Sequence, residues 1–198
     1  MNRKVVAVEP FIDNIYRIHK AAKLENVESN IVLIQNALWN RRNQMRELRP
    51  VDANIAAQRL TLNVLKNVRP GGELNNNKYL VETILLDDLV EHLPLRSDGS
   101  PFSRAIIKID IEGHETFAFE KASKLFDRLD IIYIQMEWRH LIKNSLAQVN
   151  EMMQFLTERG FNPYFFGVQL NRKNFKEWPF DVAWIKSNEK VIANSLSK

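Results

Sequence analysis

"IIKIDIEGHE", Ile106 to Glu115, is the stretch of sequence that decides the fold, because its charges fall on alternate residues. Lys108, Asp110 and Glu112 would share one face of a β-strand, and isoleucines would occupy the opposite face. A parallel strand buried on both faces is almost entirely apolar, and burying charges is costly unless they are paired or meet a ligand. The alternation therefore predicts an ion-pair cluster or the mouth of a functional site.

Composition predicts a soluble globular protein. The chain has 198 residues, of which 45% are hydrophobic and 26% charged, so a disordered or fibrous protein is not expected and a single domain over residues 1–198 is. The net charge of +4 is spread along the chain, which gives only a weak nucleic-acid signal. The densest basic run, from Arg41 to Arg49, is interpreted as solvated surface, and no nucleic-acid partner is predicted.

Cysteine content and hydropathy limit the kinds of site and the cellular locations that the sequence allows. The absence of cysteine excludes disulfides, thiolate chemistry and cysteine-based zinc sites. No apolar run reaches the length of a membrane span, and the start MNRKVVAVEP does not read as a signal peptide. The expectation is a protein without a membrane segment in this chain, and the cytoplasm is the default location.

Strand-like apolar runs alternate with helical periodicity along most of the chain, which predicts an α/β fold with a mostly parallel sheet. The region from Ala37 to Lys78 is expected to form an excursion with a short hairpin and a turn-rich loop. One helix is predicted from Ala118 to Leu129, and the last two strands are expected to pair antiparallel. The strands predicted to run parallel begin at Lys4, Ile31, Ala105 and Ile131, with the last two adjacent at the centre; the final strands are predicted at Tyr164–Val168 and Phe180–Ile185.

Polar side chains follow several of these strands at their carboxyl ends, where ligands bind in open parallel sheets. They are Glu9, Asn36, Asp110 with Glu112, and Glu137. Each has a structural alternative, since Glu9 could stabilise a helix N-terminus and Glu137 could pair with a neighbouring Arg or His. Together they favour a site at one edge of the sheet.

Four segments resemble the FkbM family of S-adenosylmethionine-dependent methyltransferases. KIDIEGHE, Lys108 to Glu115, matches every specified position of the family pattern Lys, apolar, Asp, apolar, Glu, Gly, any, Glu. VAVEP, Val6 to Pro10, and the run from Val32 to Leu38 resemble the second and third strands, and TILLDDL, Thr83 to Leu89, resembles the segment that leads to the signature. The resemblance implies a Rossmann-like class I methyltransferase fold with an antiparallel C-terminal strand.

The resemblance also implies a cofactor, S-adenosylmethionine, and residues that bind it. Glu9 would accept hydrogen bonds from the two ribose hydroxyls, and Asn36 and Ala37 would border the adenine. Asp110 would lie near the methionine part or the reacting centre, with Lys108 as its buried counter-charge.

The remaining signature residues would lie on the acceptor side. Glu112 and Glu115 are the candidates there, and Glu112 is the first candidate for the base that removes the proton of a carbohydrate or related hydroxyl. His114 occupies a variable position of the pattern and is expected only to line or cap the following helix. Asp110, Glu112 and Glu115 thus form the predicted catalytic set.

A complete family member would carry a further strand and a Gly-x-Asn-x-Gly loop before Val6. This chain is expected to lack both, and Gly71 and Gly72 lie in a distant loop that cannot replace them. The expectation is therefore an amino-terminally truncated domain that binds S-adenosylmethionine weakly by itself.

Two other functions remain as alternatives to the methyltransferase. One is an inactive, methyltransferase-like binding or regulatory module that has lost the cofactor loop. The other is a metal-dependent hydrolase that uses Asp110, Glu112 and Glu115, since hard cations prefer clustered carboxylates.

Overall fold

A computed structural model describes residues 3–51, 54–65 and 77–189. The chain divides into two compact units, Met1–Phe102 and Ser103–Lys198. The single domain expected from sequence stays a prediction. The proposed loop that contains Gly71 and Gly72 lies outside the described residues. Within the described ranges, every helix is too short or too polar to cross a membrane.

The first unit begins with a strand, a helix and a parallel strand, as predicted. These are β1 (Val5–Val8), α1 (Ile12–Leu24) and β2 (Ile31–Ile34), and β1 pairs with β2 in parallel from Val5↔Ile31 to Val8↔Ile34. A short 3₁₀ helix, Glu28–Asn30, precedes β2. The pairing ends level on both strands, so Glu9 and Gln35 follow it at the same edge.

A second sheet of the first unit contains the predicted hairpin. Its strands are β3 (Ala37–Leu38), β4 (Met45–Val51), β5 (Asn54–Val64) and β6 (Leu80–Ile84), in the order β3-β6-β4-β5. β4 pairs antiparallel with β5 and β6, whereas β3 and β6 are parallel. Its buried apolar side chains include Met45, Leu48 and Val81.

The acidic pair after β6 starts a 3₁₀ helix, Leu86–His92. The Asp88 carboxylate accepts a hydrogen bond from the Leu85 backbone N–H at 2.9 Å, which satisfies a donor at the start of the helix. Arg42 forms an ion pair with the same carboxylate. The Leu-Asp-Asp run thus fixes the turn from strand to helix.

The second unit is a five-stranded sheet with helices. Its strands are β7 (Arg104–Ile109), β8 (Asp130–Glu137), β9 (Phe161–Phe165), β10 (Val168–Gln169) and β11 (Asp181–Lys186), in the order β10-β9-β11-β8-β7. Its helices are α2 (Glu115–Phe119), α3 (Ser123–Arg128) and α4 (Leu146–Glu158), with 3₁₀ helices at Leu141–Lys143 and Arg172–Glu177. Ile134, Met136, Trp184 and Leu156 are fully buried in its core.

The strand pairings confirm part of the predicted topology. β7 and β8 are adjacent and parallel, and β11 runs antiparallel to both β8 and β9. β7 lies at the end of the described five-stranded sheet rather than at its centre. The described sheets mix parallel and antiparallel pairs, so a mostly parallel sheet is not confirmed.

Two element boundaries predicted from sequence were wrong. The helix expected from Ala118 to Leu129 is divided into α2 and α3, because Ala122 leaves helical geometry with φ −123° and ψ −6°. The strand expected at Tyr164–Val168 is interrupted by a turn, where Phe166 and Gly167 have φ of 44° and 78°. Apolar periodicity did not reveal these changes of backbone geometry.

Candidate active site

Two acidic residues meet where β7 and β8 end. Ile109 pairs with Met136, so Asp110 and Glu137 follow paired positions at the same edge of the sheet. Glu137 is buried, and burial raises its pKa; Asp110 and Glu112 raise it further, while His140 opposes them. Two carboxyl groups therefore lie close to each other at the carboxyl ends of adjacent parallel strands.

The turn after β7 brings a third carboxylate to this edge. Glu112 and Gly113 both have positive φ, +58° and +91°. A Cβ at position 113 would lie 3.0 Å from the Cβ of His140, so only glycine allows this close approach without displacement. The Gly113 carbonyl accepts a hydrogen bond from Asn144 Nδ2 at 2.8 Å, and the same nitrogen donates to Thr116 Oγ1 at 3.1 Å. The signature glycine thus holds Glu112 against the segment that follows β8.

His140 lies between two of the carboxylates. Its Nδ1 is 3.2 Å from Glu137 Oε1 and 3.6 Å from Glu112 Oε2. That nitrogen is buried and makes no aligned hydrogen bond to the described residues, although both oxygens are near. Ligand-capable atoms of Glu112, Glu137 and His140 all lie within 4.8 Å of one another. We call these three residues the Glu–Glu–His cluster.

Glu115, the last residue of the signature, is completely buried. Its Oε1 accepts a hydrogen bond from the Ile111 backbone N–H at 2.9 Å, whereas its Oε2 is buried and meets no hydrogen-bond donor in the described part of the chain. Burial raises the pKa of Glu115 to about 7, and nearby Glu137 and Asp110 add to the effect. Glu115 thus closes the loop from Ile111; its catalytic role stays a prediction.

The prediction that Lys108 is a buried counter-charge was wrong. Its Nζ lies 3.3 Å from Asp110 Oδ2, which confirms that the two charges are close, but the Lys108 side chain is 67% exposed and that of Asp110 47%. The charged face of β7 is therefore exposed, and Ile106 on the same face is exposed as well. No burial cost has to be offset by a ligand there.

Three of the four predicted cofactor-binding residues, Glu9, Asn36 and Ala37, lie in the first unit, and the fourth, Asp110, lies in the second. Glu9 Oε1 accepts the Phe11 backbone N–H at 2.8 Å, so this oxygen helps to start α1. Asn36 Nδ2 donates a hydrogen bond to the Glu82 carbonyl at 3.0 Å, and Ala37 is buried in β3. The second oxygen of the half-buried Glu9 carboxylate can still accept from a sugar hydroxyl. The residues present thus fit a ribose-bearing cofactor.

The sequence led to a prediction for His114 but to no site prediction for His140. His114 stands at the N-cap of α2, where its carbonyl accepts hydrogen bonds from Phe117 and Ala118, in agreement with the expected helix-capping position. His140 was considered only as an ion-pair partner and not as a site residue. The sequence feature that could have identified His140 is its position three residues after Glu137, just beyond the end of β8.

Comparison with known proteins identifies the sequence over most of its length. Residues 2–163 match the profile of the family described as Methyltransferase FkbM domain. Searches of curated proteins and of solved structures gave no significant match.

Proposed function

The chain belongs to the FkbM methyltransferase family, and from this premise we propose that it transfers a methyl group from S-adenosylmethionine to a hydroxyl oxygen of a carbohydrate or related small molecule. When bound, the cofactor supplies an electrophilic methyl group on a positively charged sulfur. The chain itself must then bind the cofactor, orient the hydroxyl and accept its proton.

One observation carries the assignment of the acceptor side. Asp110, Glu112, Glu137 and His140 cluster at the carboxyl ends of two adjacent parallel strands, the edge at which such sheets bind ligands. Carboxylates and an imidazole accept hydrogen bonds from hydroxyl groups and orient them. The cluster therefore supports chemistry at an alcohol.

Asp110 is the proton acceptor in this proposal. Its side chain is 47% exposed, against 22% for Glu112 and 6% for Glu137, so a substrate reaches it most easily. Asp110 follows β7 at the position next to Glu137, which is the last residue of β8. Glu112, the first candidate from sequence, stays on the acceptor side and orients the hydroxyl. Glu115 supports the loop from within the core.

Cofactor binding is assigned to the first unit. Glu9 would accept the ribose hydroxyls through its second oxygen, because the first is occupied by Phe11 N–H. Asn36 and Ala37 would lie beside the adenine. These roles follow the family resemblance and are compatible with the hydrogen bonds described above.

Methyl transfer with acceptor-side variants tests the proposal. The complete gene product would be assayed for methyl transfer from tritiated S-adenosylmethionine to a panel of hexoses and deoxyhexoses. Single-turnover kinetics would separate the rate of the chemical step from the rate of product release. We expect Asp110→Asn to slow the chemical step by roughly 10²-fold or more. Glu112→Gln should lower turnover far more than it lowers affinity for S-adenosylhomocysteine.

Glu151→Gln is the matched control, since Glu151 is an exposed carboxylate on α4. It should leave both quantities unchanged. If Glu112→Gln lowers turnover and cofactor affinity equally, Glu112 would be reassigned from acceptor binding to cofactor binding. Methyl transfer that survives Asp110→Asn unchanged would refute the assigned proton acceptor.

A further inference from the structure

We propose that the Glu–Glu–His cluster, Glu112, Glu137 and His140, binds a divalent first-row transition cation of the Zn²⁺ type. The donor set is one imidazole nitrogen and two carboxylate oxygens, a combination found in protein sites for such metals. All three donor atoms lie within 4.8 Å of one another.

The distances in the cluster fit ligands arranged around a common centre. Bonds of about 2.1 Å in a tetrahedral site place neighbouring ligand atoms about 3.4 Å apart. The two distances from His140 Nδ1, 3.2 Å to Glu137 and 3.6 Å to Glu112, bracket that value. Only small side-chain movements would bring the three atoms into coordination.

An ion pair is the competing explanation of the same contacts. A protonated imidazole between two carboxylates should direct its N–H at one of them, since charge-assisted hydrogen bonds are strong and directional. His140 Nδ1 is buried and aligned with neither oxygen as a hydrogen bond, despite their proximity. A nitrogen lone pair and two carboxylate oxygens within 4.8 Å of one another can instead share a cation, which needs no N–H aligned with either oxygen.

Neighbouring residues hold the three donors in place. Gly113 lets the Glu112 turn approach His140 closely, and Asn144 fixes the Gly113 carbonyl. Glu137 is fixed by its position at the end of β8 in the sheet and is almost fully buried. Such supporting contacts are typical of metal sites, whose ligands are oriented by the residues around them.

Three protein ligands leave at least one coordination position for an outside oxygen. A cation there would bind the acceptor hydroxyl and make its proton easier to remove. This role rests on the proposed function, whereas the binding of the cation does not.

Calorimetric titration of the metal-free, complete protein with Zn²⁺ tests the site, with Mg²⁺ as the comparison. We expect one Zn²⁺ per chain and weaker binding of Mg²⁺. His140→Ala and Glu137→Gln should each weaken Zn²⁺ binding by at least about tenfold. The exposed His19 and Glu151 provide matched controls, and His19→Ala and Glu151→Gln should bind Zn²⁺ as the parent does.

Circular dichroism in EDTA would establish that each variant is folded before it is titrated. Undiminished Zn²⁺ binding by the folded His140→Ala protein, or no Zn²⁺ binding by the parent, would overturn the site. The same samples would be titrated with S-adenosylhomocysteine. If the parent binds Zn²⁺ but does not bind S-adenosylhomocysteine, the result would contradict the proposed function and would still support the metal site.

Discussion

Glu115 should make the stability of the protein depend on pH in a defined window. The side chain is completely buried, only one of its oxygens accepts a hydrogen bond within the described residues, and its pKa is raised from 4.5 to about 7. A carboxyl whose pKa is higher in the folded state binds its proton more tightly there than in the unfolded chain. Its contribution to stability is therefore complete below about pH 4.5 and is lost as the pH rises through about 7.

The size of the effect follows from the shift. A difference of about 2.5 pKa units, at roughly 1.4 kcal/mol each, gives a contribution of about 3 kcal/mol. Burial of the group means that solvent screening reduces this value little. Glu115→Gln removes the ionisation but keeps an oxygen that can accept the Ile111 N–H, so the loop contact is retained.

Urea denaturation at a series of pH values, in EDTA, measures the free energy of unfolding of the parent and of Glu115→Gln. Relative to the variant, the parent should lose about 3 kcal/mol between about pH 4.5 and 8. Glu151→Gln, at an exposed position, should follow the parent across the range. A difference between parent and Glu115→Gln that stays constant with pH would refute the burial argument.

Three substitutions test other parts of the account by denaturation. Lys108→Ala should change stability by less than about 1 kcal/mol, because the ion pair with Asp110 is exposed; a larger loss would restore the idea of a buried charge. Gly113→Ala should cost about 1–3 kcal/mol, since it strains a positive φ and places Cβ 3.0 Å from that of His140; an unchanged stability would mean that the turn adapts freely. Asn144→Ala should cost about 1–3 kcal/mol through the lost hydrogen bonds to Gly113 and Thr116, and a neutral result would show that the amide does not hold the turn.

Local pattern predicted the parallel neighbours well. Apolar runs that begin near Val5 and Ile31 flank a periodic helix. Two strands joined by such a crossover helix usually pair in parallel, as β1 and β2 do. The same reasoning placed β7 beside β8. It failed for the position of β7 within its sheet, because strand order depends on long-range packing that local periodicity does not record.

The charges of the signature were located correctly but explained wrongly. Alternation identified Lys108 and Asp110 as neighbours, yet it could not show that their face of β7 is exposed. Alternation also gave no indication that Glu115 would be completely buried, and its place on the acceptor side stays a prediction. Exposure depends on what packs over a strand or turn, and that information comes from distant parts of the chain.

His140 was not among the candidate site residues because its proximity to Glu112 depends on a glycine that is distant in sequence. Gly113 brings the Glu112 turn within contact distance of His140, and only the folded chain reveals this approach. The Glu-x-x-His spacing after β8 was visible in the sequence. Without the partner turn, however, such spacing is equally typical of an ordinary ion pair.

Titration of the complete gene product with S-adenosylhomocysteine tests the central claim, a cofactor held through Glu9, most directly. The account predicts binding with one site, weakened roughly tenfold or more by Glu9→Gln, because a charged acceptor of the ribose hydroxyls is lost. The glutamine can still accept the Phe11 N–H, so α1 should start unchanged, and the exposed Glu28→Gln is the matched control. No binding, or equal binding by the parent and Glu9→Gln, would contradict the claim.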